Sequence, residues 1–150
     1  MQEVSVIIPN FNGMAYLDGV LAGLECQSVN NFEVILVDNG SSDGSCAFVA
    51  ARYPWVHLIE LPENFGFCKA VNEGIKASRA PYVLLLNNDI EVTENFIEEM
   101  IFAIKRHPKA FSCAARMIQF HDRDKLDDAG NYYCALGWAY ARGKGKDIHI

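Results

Sequence analysis

The chain has 150 residues, 51% of them hydrophobic and 21% charged, and a formal net charge of −6. That length fits one domain able to bury roughly 70% of its unfolded surface. No apolar run approaches the roughly 20 residues of a membrane span, and the acidic balance argues against a protein that coats nucleic acid. Five cysteines (Cys26, Cys46, Cys68, Cys113, Cys134) are odd in number and lack metal-ligand spacing. Most of them read as small core residues of a cytoplasmic protein, and nothing suggests a disulfide framework. With a strand beginning at Val4, no signal peptide is expected before it.

Strands and helices alternate along the first two-thirds. Val4–Ile8 reads as a strand, followed by the turn Pro9-Asn10-Phe11-Asn12-Gly13. Tyr16, Leu17, Val20, Leu21 and Leu24 recur at helical spacing. Val34–Val37 is a second strand, ended by Asp38. The cluster Asn39-Gly40-Ser41-Ser42-Asp43-Gly44 turns into a capped helix that stops before Pro54. Val56–Leu61 is a shorter strand, and a helix follows from about Phe67 to Ser78 with Ala70, Val71, Gly74 and Ile75 on one side.

The run Tyr82-Val83-Leu84-Leu85-Leu86 reads as a strand buried on both faces, and it ends in Asn87-Asn88-Asp89. Thr93 begins a helix with a stripe of Phe96, Ile97, Met100, Ile101 and Ile104, stopped by Pro108; Ala110 to Met117 reads as a final strand. The fold class is therefore α/β: a mostly parallel, Rossmann-like sheet with helices on both faces. After about Phe120 the character changes to charged loops, a basic Gly-rich tail around Lys144 and Lys146, and aromatic residues with no evident periodicity. Tyr132, Tyr133 and Trp138 among them predict an apolar patch, and with it self-association as a homodimer.

Two fingerprints are missing: neither G-x-G-x-x-G after the first strand nor G-x-x-x-x-G-K-[ST] occurs. Instead, polar residues gather at the ends of successive strands: Asn10, Phe11 and Asn12, then Asp38, then Asn87, Asn88 and Asp89. In a parallel sheet these ends converge on one edge, where ligands bind. Phe11 offers a face for a base to stack on, and Asp38 an acceptor for a ring N–H. Asp89 suits a divalent cation over a diphosphate, and Lys69 could add a positive charge from its helix.

Val4-Ser5-Val6-Ile7-Ile8-Pro9-Asn10-Phe11-Asn12-Gly13 and Val34-Ile35-Leu36-Val37-Asp38-Asn39-Gly40-Ser41-Ser42-Asp43-Gly44 resemble the opening motifs of family 2 glycosyltransferases. Asn64-Phe65-Gly66-Phe67 with Ala70-Val71-Asn72-Glu73-Gly74-Ile75 is similar to the segment preceding the family's metal motif. Leu86-Asn87-Asn88-Asp89 resembles the D-x-D variant of rhamnosyltransferase-like members. The resemblance covers roughly residues 3 to 92, and more loosely Asp127-Asp128-Ala129-Gly130.

That resemblance implies a GT-A fold and transfer of a sugar, with inversion, from a dTDP- or UDP-sugar (rhamnose being one candidate) to an acceptor hydroxyl. The acceptor class implied is a saccharide or lipid-linked glycan of cell-surface polysaccharide synthesis. The expected location is cytoplasmic, free or peripherally associated with the inner membrane face. Asp38 would contact the base, with Pro9 and Phe11 lining its pocket and Asn10 and Asn12 beside them. Asn87 and Asn88 would face ribose and diphosphate, and Asp89 would hold Mg²⁺ or Mn²⁺. Asn87 departs from the usual first Asp and adds no charge.

By the same resemblance, residues 1–118 are the donor-binding half and 119–150 begin an acceptor-side half. The catalytic base, a carboxylate opposite the leaving group, is expected beyond Ile150. Asp122-Arg123-Asp124 spells D-x-D, but no buried strand precedes it, so it reads as a solvated turn. Two rival readings are a sugar-phosphate nucleotidyltransferase, which would want a basic residue within Pro9–Gly13, and a nucleotide-sugar-binding module without catalysis.

Overall fold

A computed structural model describes residues 2–149. It contains two compact units, Met1–Glu98 and Glu99–Ile150.

The first unit carries β1 (Val4–Asn10), α1 (Met14–Glu25), β2 (Phe32–Asp38), α2 (Ser45–Arg52), β3 (His57–Glu60), α3 (Phe67–Ala77) and β4 (Tyr82–Leu85). The strands form one parallel sheet in the order β3-β2-β1-β4. The chain therefore works outward from β1 to β3 on one side and then crosses to the other side of β1. The order reverses between β1 and β4, which is where open α/β sheets leave a crevice at their carboxyl ends.

The sheet core follows from β-branched and aliphatic runs. Val6, Ile7, Ile8, Ile35, Leu36 and Val37 are all fully buried, so both faces of β1 and β2 are covered. On the face of Ile7, Ile35 and Val37 lies α3, with Ala70 in the same cluster. Gly74 makes that approach close: a Cβ there would meet Ile7 Cγ2 at 2.4 Å. The stripe Leu17, Val20, Leu21 and Leu24 of α1 is buried as its spacing predicts. Tyr53, just after α2, is wholly buried and its hydroxyl donates to Asp18 Oδ1 of α1 at 2.6 Å.

One strand departs from expectation. β4 is an edge strand, with Val83 41% and Leu85 54% exposed, rather than a strand buried on both faces. Its register puts Leu85 beside Ile7 on the α3 face. The cover that α3 gives Ile7 does not reach that far. Apolar composition records what a strand can bury, not whether a neighbour arrives.

The boundary between the units falls inside α4 (Phe96–Arg106). Beyond it lie β5 (Met117–Ile118), β6 (Leu126–Asp128), β7 (Asn131–Tyr133) and β8 (Ala139–Ala141). The expected strand from Ala110 to Met117 is absent; only Met117 and Ile118 pair, antiparallel with β6. The aromatic residues that lacked periodicity sit on the β7–β8 hairpin, where Tyr132 pairs with Tyr140. Tyr133 and Trp138 are 77% and 74% exposed. Among the described residues no helix is long and apolar enough to cross a membrane.

Candidate active site

At the carboxyl edge of the parallel sheet the polar strand ends meet. Asn10 closes β1 and Asp38 closes β2; they are 2% and 1% exposed. Asn10 Nδ2 donates to Asp38 Oδ2 at 2.8 Å, and Asn88 Nδ2 donates to Asn10 Oδ1 at 2.7 Å. Asp38 Oδ1 accepts the Ser41 backbone N–H at 2.8 Å. The ends of β1 and β2 and the segment after β4 are thereby joined through side chains.

The loops after β1 and β2 are laced to each other. The Asn12 backbone N–H donates to Ser41 Oγ at 2.8 Å, and the Ser42 N–H returns a bond to Asn12 Oδ1 at 2.9 Å. Asn12 has φ 49°, a left-handed conformation that asparagine tolerates better than most residues. Asp43 accepts the N–H groups of Met14 (2.9 Å) and Ser45 (3.0 Å), so one carboxylate caps the first turns of both α1 and α2. Bonds from the Ser45 side chain and the Met14 amide hold its carboxyl below the usual aspartate value. The capped helix expected after Asn39–Gly44 is thus present, and the cap that Asp43 gives α2 extends to α1 as well.

A second layer supports this one. Asn39 Nδ2 donates to Asn64 Oδ1 at 2.8 Å, and Asn39 Oδ1 accepts the Phe65 N–H at 3.0 Å, which ties the segment before α3 to the end of β2. Gly40 passes so near Glu63 that a Cβ would stand 2.6 Å from its Cα. Burial, with the Asp38 and Glu60 carboxylates nearby, pushes the Cys46 thiol up to about 12. It is therefore a neutral neighbour of Asp38 and not a nucleophile.

Around this buried network the remaining expected residues are more open. Phe11 is 48% exposed, Pro9 half-buried, and Asn87 and Asp89 exposed. Lys69 lies apart from it, bound to Glu73 at 2.7 Å within α3; Glu73 also takes Lys76 at 2.9 Å. Those two lysines hold the Glu73 carboxyl down to about 2. Among the described residues no group of three or more His, Cys, Asp or Glu is gathered to hold a metal ion. A divalent cation at Asp89 would therefore need ligand oxygens to complete its shell. In the second unit, Asp122 of the Asp122-Arg123-Asp124 run pairs with Lys125 at 2.7 Å, as a surface turn would.

A cleft of about 380 Å³ opens at the opposite, amino end of the strands, among Leu24, Glu25, Phe32, Glu33 and Trp55. Its charged lining residues are Glu25 and Glu33.

The chain is similar to known proteins in sequence and in fold. GlyG, a glycosyltransferase of Streptococcus pneumoniae, is 29% identical over 133 residues, 87% of this chain and 39% of its own length. The cholesterol galactosyltransferase of Borreliella burgdorferi is 27% identical over 121 residues, 79% of this chain and 34% of its own. The chain thus spans well under half of these two relatives. Among solved structures, S. aureus TarS in complex with UDP-GlcNAc superposes with a TM-score of 0.65 at 26% identity, covering 71% of this chain and 32% of TarS. The mannosyltransferase PcManGT of Pyrobaculum calidifontis, solved with GDP-Man and Mn²⁺, has the same fold at 23% identity and a TM-score of 0.64. With the profile of Glycosyl transferase family 2 matching residues 5–148, this chain belongs to that family and carries its GT-A fold.

Proposed function

We propose that residues 1–98 bind the nucleoside diphosphate part of a UDP- or dTDP-sugar, for transfer of the sugar to an acceptor hydroxyl with inversion. The observation that carries this reading is the convergence of Asn10, Asp38 and Asn88 at the carboxyl edge, joined by bonds of 2.8 and 2.7 Å, in a family 2 chain. Phe11 and Pro9 would flank the base and Asp38 would accept from it. Asn87 and Asn88 would meet the ribose and diphosphate.

Charge supports a metal-dependent version of the reading. Residues 1–98 hold only 4 Lys+Arg against 13 Asp+Glu, and Lys69 and Lys76 are engaged by Glu73. A diphosphate approaching this surface needs another positive charge. Mg²⁺ or Mn²⁺ at Asp89 would supply it and act as a Lewis acid for the leaving group. The acceptor proposed is a saccharide or lipid-linked glycan, reached at the inner membrane face by peripheral association. The exposed aromatic hairpin makes a homodimer part of the same reading, and light scattering that finds a strict monomer at all concentrations would remove that part.

The test is a thermal-shift panel of UDP, dTDP and GDP with and without Mn²⁺, on the wild type and Asp89→Ala. A nucleotide at about 100 times its dissociation constant adds roughly 2.7 kcal/mol, on the order of 5–10 °C here. Stabilisation by UDP or dTDP that needs Mn²⁺ and disappears in Asp89→Ala is expected. Indifference to every nucleotide would overturn the reading.

A further inference from the structure

Resting on that donor-site reading, we propose that Asn10 is a positioning residue. Its carboxamide, oriented by Asp38, turns the Asn88 carbonyl oxygen toward the ligand as a second oxygen donor, beside Asp89, for the divalent cation.

The three side chains form a chain with a direction. A carboxylate only accepts hydrogen bonds, whereas an amide has one donating and one accepting end. Asp38 accepts from the Ser41 amide at one oxygen and from Asn10 Nδ2 at the other. Asn10 is 2% exposed, so it has no water to turn to. Its NH₂ end must face Asp38, and its carbonyl must face away. That carbonyl receives Asn88 Nδ2 at 2.7 Å. Reversing either amide would set oxygen against oxygen in a buried place.

Gly13 closes the nitrogen side of Asn88. A Cβ at Gly13 would fall 2.1 Å from Asn88 Nδ2 and 2.3 Å from Asn10 Oδ1, so its bare backbone lies directly over this hydrogen bond. With the nitrogen turned inward and covered, the branch of Asn88 left for a ligand is its oxygen.

That polarity selects the ligand. A hard divalent cation binds amide and carboxylate oxygens, whereas an N–H at the same place would repel it and attract phosphate instead. Asp89 brings a single carboxylate, and among the described residues it belongs to no group of three or more His, Cys, Asp or Glu. A neutral oxygen from the adjacent residue is the addition such a site lacks. Asn10 would touch neither cation nor nucleotide and would act wholly through Asn88. It is also a residue that sequence reading placed beside the base pocket rather than behind the metal.

The experiment follows Mn²⁺ binding by electron paramagnetic resonance, with UDP present, on the full chain, two variants and their combination. Asn88→Ala removes the oxygen and should weaken Mn²⁺ binding about tenfold or more. Asn10→Leu keeps the volume and removes the carbonyl that holds Asn88 Nδ2, so the Asn88 amide loses its direction. This should cost about 10–100-fold in Mn²⁺ affinity, the usual effect of losing an outer-shell partner. In the Asn88→Ala background the same substitution should cost nothing further, whereas a merely structural defect would add its own loss. Mn²⁺ affinity equal to wild type in Asn88→Ala or in folded Asn10→Leu, or additive losses in the double variant, overturns the proposal while leaving the donor site standing. Wild-type protein that binds no Mn²⁺ with UDP overturns both. Should Asn10→Leu fail to fold, Asn88→Ala, at a half-buried position, decides alone.

Discussion

Residues 1–98 carry 4 Lys+Arg against 13 Asp+Glu, whereas residues 99–150 carry 9 against 6. The overall charge of −6 thus conceals an acidic unit at −9 and a basic one at +3. Their packing differs as sharply. Among the described residues, the buried apolar side chains lie almost wholly in the first unit, and only Ile101 and Leu126 fall in the second. The first unit is held by a sheet core, the second by a few short hairpins and turns. The lesson is that a mean charge or hydropathy describes neither part. The acidic half is the one read as binding a diphosphate, which makes a metal ion the natural intermediary.

The largest effect separating the units should come from truncating matched side chains. Leu36→Ala, fully buried in β2, should lose about 2–5 kcal/mol in urea denaturation. Leu136→Ala, 85% exposed in the β7–β8 turn, should stay within about 0.5 kcal/mol. Comparable losses at both positions would erase the contrast. Gly74→Val sharpens it next, because the added Cβ meets Ile7 at 2.4 Å. A cost of about 1–3 kcal/mol is expected, visible as a lower denaturation midpoint.

Tyr53→Phe should cost about 1 kcal/mol at neutral pH through the lost bond to Asp18. Burial and then that bond to Asp18 push the Tyr53 hydroxyl from 10.0 up to about 12. Because the folded value is the higher one, this stabilisation is complete below pH 10 and is lost as pH rises toward 12. The phenylalanine variant has no such term, so melting curves of the two proteins should converge over that window. The smallest effect belongs to the surface. Glu73→Gln should leave the denaturation midpoint almost unchanged, with the small difference shrinking further in high salt. The Glu73 contribution should fade as pH drops from 4.5 toward 2, since its folded value is the lower one.

Much of the first unit was legible because its strands are short apolar runs and its helices carry clean stripes. Val4–Ile8 and Val34–Val37 could hardly be anything but interior strands, and Leu17, Val20, Leu21 and Leu24 are the buried side of α1. The gathering of Asn10, Asp38 and Asn88 was also legible, since parallel strands bring like ends together. Partnership was not. Nothing local distinguishes Val83 and Leu85 from residues of a covered strand. The hairpin that pairs Tyr132 with Tyr140 depends on a turn at Gly137, whose φ is 84°, rather than on an apolar period along the chain. The direction of the Asn88–Asn10–Asp38 bonds is likewise a three-dimensional fact, set by which atom a buried carboxylate can accept.

The edge position of β4 has a colloidal consequence. A terminal strand with outward-facing apolar side chains is a template for strand addition by another copy. Like charge on the acidic unit keeps copies apart, and that repulsion reaches only about 10 Å at 0.1 M salt and about 3 Å at 1 M. Concentrated salt, or a pH low enough to protonate the carboxylates of the acidic unit, removes the barrier while leaving the edge in place. Preparations of this protein should therefore stay clear longest in dilute, mildly alkaline buffer, with turbidity appearing first where the charges are silenced.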